Sequence, residues 1–170
     1  MCSPSLPALA DYRGALLTAV TDVAENSLFA FADASTVDTF DAAATAPMAE
    51  GGSEWLRAEV DFKGPIAGRF ELVAPAPLAR HLCASFAGAE PEEIGEGDLL
   101  DFTGELANMM CGTWLTRACR HDAFSLMPPR VDRGQPDLAT SDDELSERFY
   151  LSIDDAPIRL ALHWDRADDQ

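Results

Sequence analysis

The chain has 170 residues, 47% of them hydrophobic, which is enough apolar material for one domain with a sizeable core. No apolar run is long enough to span a bilayer. Thirty acids against twelve Lys and Arg give a formal net charge of −18, a surface that repels phosphate backbones and anionic lipid and makes nucleic acid and membrane poor partner candidates.

Met1-Cys2-Ser3-Pro4-Ser5-Leu6-Pro7 has neither the basic region nor the apolar stretch of a signal peptide, so a cytoplasmic location is expected, with residues 1–8 a short mobile N-terminus. From Leu9 to about Ala32, apolar positions recur at helical spacing: Leu16, Val20, Val23, Ala24, Ser27 and Phe31. Thr36 to Ala46, rich in threonine and alanine, reads as a weak strand. Trp55 to Lys63 alternates, with Leu56, Ala58, Val60 and Phe62 on one face and Arg57, Glu59, Asp61 and Lys63 on the other. Gly64-Pro65 turns the chain, and Ile66, Gly68, Phe70 and Leu72 continue the alternation in a returning strand, so a hairpin is expected.

Ala74-Pro75-Ala76-Pro77 stops that strand and opens a helix over Leu78 to Phe86, ended by Gly88. Gly95-Glu96-Gly97-Asp98 opens a long helix from Leu99 to about Cys119, with Asp98 at its N-cap. A strand follows over Ala123 to Met127, and Pro128-Pro129 break its ladder, which marks an edge or a bend. Gly134 to Glu144 is a polar loop. Arg148 to Ile153 and Ile158 to Trp164 form a second hairpin across Asp154-Asp155-Ala156-Pro157, and residues 165–170 form a C-terminal tail. Helix followed by hairpin thus occurs twice, which implies a duplicated α+β fold in a single domain over residues 1–170, with one antiparallel sheet covered by two long helices.

The cysteines Cys2, Cys83, Cys111 and Cys119 include no C-x-x-C pair, and Cys111 and Cys119 are two turns apart on one helix, too far to bridge. Reduced thiols are expected. His81, His121 and His163 are scattered, so no metal is assigned to the chain itself.

The chemistry-bearing stretch is Asp101-Phe102-Thr103-Gly104-Glu105-Leu106-Ala107-Asn108-Met109-Met110-Cys111-Gly112. At about 100° per residue, Glu105 and Asn108 lie roughly 60° apart on one helix face, with Asp101 and Gly112 on the same face and Phe102, Leu106, Met110, Thr113, Trp114 and Arg117 covering the other side. A polar stripe with glycine beside it, backed by an apolar face, suits a surface that receives another molecule. Asn and Gly each cost helix propensity, about 0.5 and 1 kcal/mol relative to Ala, so another contact retains them. For either glycine that contact is packing inside the fold or close approach of a partner.

The run Gly104 to Gly112 resembles the E-x-x-N helix of the CheC/CheX/FliY family, phosphatases of the chemotaxis response regulator CheY. The glycine turn after Phe62-Lys63, the Pro-containing strand Met127-Pro128-Pro129-Arg130-Val131 and the closing hairpin are similar to that family's plan, over roughly residues 10 to 165. CheC-like chains carry two such motifs. Here Leu28, not asparagine, stands three residues after Glu25, so the chain is similar to the single-motif CheX branch. The resemblance implies a duplicated CheC-like domain, usually a homodimer joined at sheet edges. Its implied partner is a phosphorylated CheY-like response regulator, which supplies the divalent metal (Mg), so that the chain needs no cofactor of its own.

The roles that follow are Asn108 as the residue that positions the attacking water and Glu105 as the carboxylate that pairs with the regulator's lysine. Asp101 adds a weaker contact, and Gly104 and Gly112 admit the partner's backbone. Two alternatives accompany this expectation. One is a non-catalytic module that docks a receiver domain or flagellar switch component. The other is an oligomer-forming domain whose Glu105 stripe is a homodimer contact.

Overall fold

The computed structural model describes residues 9–45, 54–138 and 146–165. The N-terminal residues 1–8, most of the tail and most of the expected polar loop lie outside them. In chain order the elements are α1 (Leu9–Ser27), β1 (Ala32–Ala34), α2 (Val37–Thr45), β2 (Trp55–Lys63), β3 (Gly68–Pro75), α3 (Ala76–Ala87), α4 (Glu96–Ala118), β4 (Ser125–Leu126), β5 (Arg130–Gly134), β6 (Ser146–Ile153) and β7 (Ala156–Trp164). A short 3-10 turn at Pro91–Glu93 joins α3 to α4.

The seven strands form one antiparallel sheet in the order β1-β6-β7-β3-β2-β4, with β5 also paired to β2. That order reads alike from both ends. A hairpin of the second half (β6-β7) lies beside a hairpin of the first (β3-β2), and each hairpin is flanked by the short strands that follow the other half's long helix. The duplication expected from the repeated helix-then-hairpin order is therefore present as topology, with edge strands exchanged between the halves.

Alternation sorts the side chains of the sheet. Leu56, Ala58, Val60, Phe62, Phe70, Leu72, Phe149, Leu151, Leu160 and Leu162 point to one face and are buried together with Leu16, Val20 and Val23 of α1 and Leu99, Leu106, Met110 and Trp114 of α4. The two helices touch each other as well, and Trp114 meets Phe62 at 5.5 Å, Trp164 at 5.9 Å and Tyr12 at 6.2 Å between ring centroids. Three aromatic partners around one indole fix α4 over the β2 end of the sheet.

Both hairpins keep the expected turns. Asp154 and Asp155 take φ of 47° and 66°, the left-handed pair that a two-residue turn requires. Gly88, at φ 66°, ends α3 where glycine is free to adopt that conformation.

Several boundaries differ from the sequence pattern. α1 stops at Ser27, because the chain folds back with an Ala30 N–H to Ala24 O bond of 2.9 Å and buries Leu28. Phe31, placed on the helix's apolar stripe, is instead 65% exposed. Thr36 to Thr45 is not a strand. The Thr36 hydroxyl accepts the Thr39 N–H at 3.3 Å as an N-cap does, Asp38 stands in the first turn, and Ala42-Ala43-Ala44 are strong helix formers, so α2 forms. α4 begins one turn early, with Gly95 rather than Asp98 as its cap, because Arg80 and Arg133 both hold Glu96 in the first turn.

α2 packs on the sheet face opposite α1 and α4. Phe40 and Ala44 close a second small core with Trp55 and Val73. Beneath it Arg159 is buried against Glu71 at 3.2 Å, donates to Asp137 O at 2.6 Å and lies 5.4 Å from the Phe40 ring. Removing one member of such a pair leaves an uncompensated buried charge. Glu71→Ala is expected to lower the unfolding free energy by about 3–5 kcal/mol, and the double change Glu71→Leu with Arg159→Met to cost less than the single one. Urea denaturation of the three chains measures both.

Candidate functional site

The motif helix α4 keeps only a narrow stripe free of the core. Leu106 and Met110 are buried at 3% and 0% exposure, Asp101 and Glu105 are exposed, and Asn108, Met109, Gly112 and Thr113 are half-buried. Glu105 and Asn108 thus share the outward face, as their spacing requires. Neither Asp101 nor Glu105 pairs with any described residue, so both carboxylates are available to an outside cation. Beyond Asn108 the stripe continues as a shallow groove lined by Met109, Gly112, Thr113, Thr116 and Arg117. Arg117 closes it toward α1 through an ion pair with Asp22. Thr113 and Arg117, which the helical period put on the side of α4 away from Glu105, line this groove instead, with the Arg117 side chain drawn to Asp22 of α1.

Asn108 stands apart from its neighbours. Its Oδ1 is buried and accepts no hydrogen bond within the protein. An unpaired buried carbonyl costs about 1–3 kcal/mol, so an apolar side chain would serve packing better at this position. The accessible part of the residue is not its oxygen, and a turn about the last side-chain torsion exchanges the two ends of the amide. That torsion is broad and two-fold, so the exchange is inexpensive.

The two glycines divide. Gly104 is buried, and a Cβ there would lie 3.0 Å from Pro129 Cγ and 3.2 Å from Val131 Cγ2. Its lack of a side chain is accounted for by close approach of β5, so Gly104 is a packing residue of this fold and not an opening for a partner's backbone. At Gly112 the nearest neighbour, Leu126 Cδ1, is 3.6 Å from the added atom, an ordinary contact, and the residue borders the groove.

Among the described residues no group of three or more His, Cys, Asp or Glu is arranged to hold a metal ion, and no helix is long and apolar enough to cross a membrane. Cys83, Cys111 and Cys119 are free thiols, and burial pushes the Cys111 thiol up to about 12. A thiol held protonated in this way takes no part in nucleophilic chemistry.

A family model described as chemotaxis phosphatase CheX matches residues 57–153, more than half of the chain. No protein of curated function matches the sequence. Among solved structures, the CheX protein of Desulfovibrio desulfuricans superimposes with a TM-score of 0.66 at 14% identity, covering 91% of this chain and 99% of that one. The CheX protein of Vibrio vulnificus gives 0.65 at 15% identity, over 94% and 99%. The CheX–CheY complex of Borrelia burgdorferi with beryllofluoride and magnesium gives 0.63 at 14%, over 91% and 98%. At these identities the likeness is one of fold.

The glycines yield opposite expectations for stability. Gly104→Ala is expected to lower the unfolding free energy by about 1–3 kcal/mol through overpacking against Pro129. Gly112→Ala is expected to raise it by up to about 1 kcal/mol through helix propensity. Urea midpoints of the two variants against wild type check this.

Proposed function

As this chain belongs to the CheX family of chemotaxis phosphatases, we propose that it hydrolyses the aspartyl phosphate of a CheY-type response regulator. The observation that carries the proposal is the α4 stripe, where an exposed, unpaired Glu105 stands one turn before an Asn108 whose oxygen has no partner inside the fold. The Borrelia burgdorferi CheX complex contains CheY with magnesium and beryllofluoride, the latter a stand-in for the phosphoryl group. That composition supports the view that the metal is supplied on the regulator's side.

Hydrolysis forms a bond from the water oxygen to phosphorus and breaks the bond from phosphorus to the aspartate oxygen, leaving a free carboxylate and inorganic phosphate. The transition state is loose and needs little help from a base, so a water held in line is the main thing a phosphatase adds. A carboxamide is suited to this. Once Asn108 turns its Oδ1 into the open, that oxygen accepts a hydrogen bond from the water, while the amide nitrogen donates toward the phosphoryl oxygens.

Glu105 sets the register by pairing with the lysine of the regulator's site, a charge-assisted contact. Asp101, one turn earlier, adds a weaker attraction, and Gly112 leaves the groove shallow where the partner passes. The strong negative charge of the whole chain favours approach of a basic surface and makes association depend on salt. A docking module without turnover would bind the same receiver but release no phosphate.

Asn108→Ala is expected to keep the fold and slow phosphate release by about 10²-fold, a loss near 3 kcal/mol of transition-state stabilisation. Circular dichroism and the decay of a phosphorylated CheY-type receiver measure the two parts. Unchanged turnover would remove Asn108 from the mechanism.

For Glu105→Gln the expected effect is on docking. Half-saturation is expected to rise by about tenfold, corresponding to roughly 1.4 kcal/mol, with a shallower salt dependence than wild type. A loss confined to the maximal rate would show that Glu105 acts on the water or the phosphoryl group instead.

A further inference from the structure

We infer that the segment Met127–Arg130 is a positioning device for Asn108, a wall built into the sheet edge that sets where the carboxamide sits on α4 and how far it opens to water. The inference rests on the phosphatase proposal above and adds residues to it.

The segment is a β-bulge. Leu126 is registered with Phe62 and Arg130 with Glu59, so four steps along the edge oppose three steps along β2, leaving one extra residue between β4 and β5. Pro128 and Pro129 fall at the interruption, where neither needs to donate to the ladder. A bulge bends its strand, and here the bend carries the chain toward α4.

Asp61 of β2 fastens the bulge at both ends. Its main-chain carbonyl accepts the Met127 N–H at 2.9 Å, and its carboxylate accepts Arg130 Nη1 at 2.7 Å. Arg69 holds the same carboxylate at 2.9 Å, and the two guanidinium groups pull the Asp61 carboxyl down to about 2. The carboxylate of this fastening therefore stays charged at neutral pH.

Across from it, Gly104, Asn108 and Gly112 form one row on α4 at intervals of four residues. A Cβ on the first would meet Pro129 and Val131, and a Cβ on the last would meet Leu126. The row and the bulge therefore run side by side in opposite directions, and Asn108 stands at the level between Leu126 and Pro129. That placement accounts for the burial of its Oδ1 although the residue borders an open groove. The glycines on either side let the wall come close, and the two prolines make it stiff, since each has φ locked by its ring. Misplacing a catalytic group by about 1 Å costs as much as 10²-fold in rate, so a stiff wall at this point bears on turnover more than on docking.

Pro129→Ala and Asp61→Asn loosen the wall without altering any residue of the α4 stripe. Both are assayed beside wild type and Asn108→Ala on each CheY-type receiver of the same genome, phosphorylated with acetyl phosphate. The ¹H–¹⁵N signals of the Asn108 side-chain amide, identified by their loss in Asn108→Ala, provide a readout independent of activity. Both variants are expected to fold, to keep half-saturation within about twofold and to lose roughly 5- to 20-fold in kcat, with displaced Asn108 amide signals. If both variants keep kcat within twofold while Asn108→Ala loses it, the positioning role is overturned. If Asn108→Ala is as active as wild type, or no receiver is turned over, the phosphatase proposal has failed instead. The amide signals then decide alone, unmoved signals overturning the wall and displaced ones upholding it. Should Asp61→Asn fail to fold, Pro129→Ala carries the test.

Discussion

The contact between α4 and the β2 edge of the sheet is the constraint on which the rest of this structure depends. The helix lies so close to that edge that a methyl group at Gly104 would sit 3.0 to 3.2 Å from Pro129 and Val131, tighter than ordinary van der Waals contact. The approach is driven by burial, with Leu99, Leu106, Met110 and Trp114 pressed on the apolar face of β2, β3 and β7. Because one side of α4 is committed to the core and a second to the edge strands, only a narrow stripe remains, and it is this stripe that carries Glu105 and Asn108.

The opposite face of the sheet is organised by charge. Arg159 and Glu71 are buried under α2, while Arg69 and Arg130 bracket Asp61 and Glu59 nearer the edge. An acidic chain with twelve Lys and Arg has few cations to distribute. At least four of its arginines are spent on this face, tying β2 to β3 and β5, and β3 to β7. The motif stripe on the other side keeps its carboxylates unpaired. That asymmetry leaves Glu105 free for a cation from outside, since an exposed carboxylate already paired within the chain would have less to gain from a partner's lysine.

The halves of the fold are alike in topology but unequal at the position that matters. The first half has Leu28, not an asparagine, three residues after Glu25, and Leu28 lies just past the end of α1, buried at 1% exposure, whereas Asn108 sits in the middle of α4. Among the described residues, α4 is the long helix that has the β4–β5 bulge beside it, with Asn108 at the border between core and solvent.

Read alone, the sequence determined what depends on local periodicity. Both hairpins, the extent of α3, the amphipathic α4 and the shared face of Glu105 and Asn108 follow from alternation, helical spacing and the turn residues Gly88 and Asp154-Asp155, all of which act within a few residues. Where long-range contacts compete with local pattern, tertiary structure decided. The end of α1 was set by burial of Leu28. The helical state of α2 was cued by Thr36 and Ala42-Ala43-Ala44, yet it is held by Phe40 on a sheet face assembled from distant strands. The start of α4 was set by arginines from α3 and β5, and the role of Gly104 by a strand some 25 residues further along. The burial of Asn108 Oδ1 and the wall beside it depend on the register of β4 and β5 against β2, which pairs residues 62 to 79 positions apart and leaves no periodic trace in either segment.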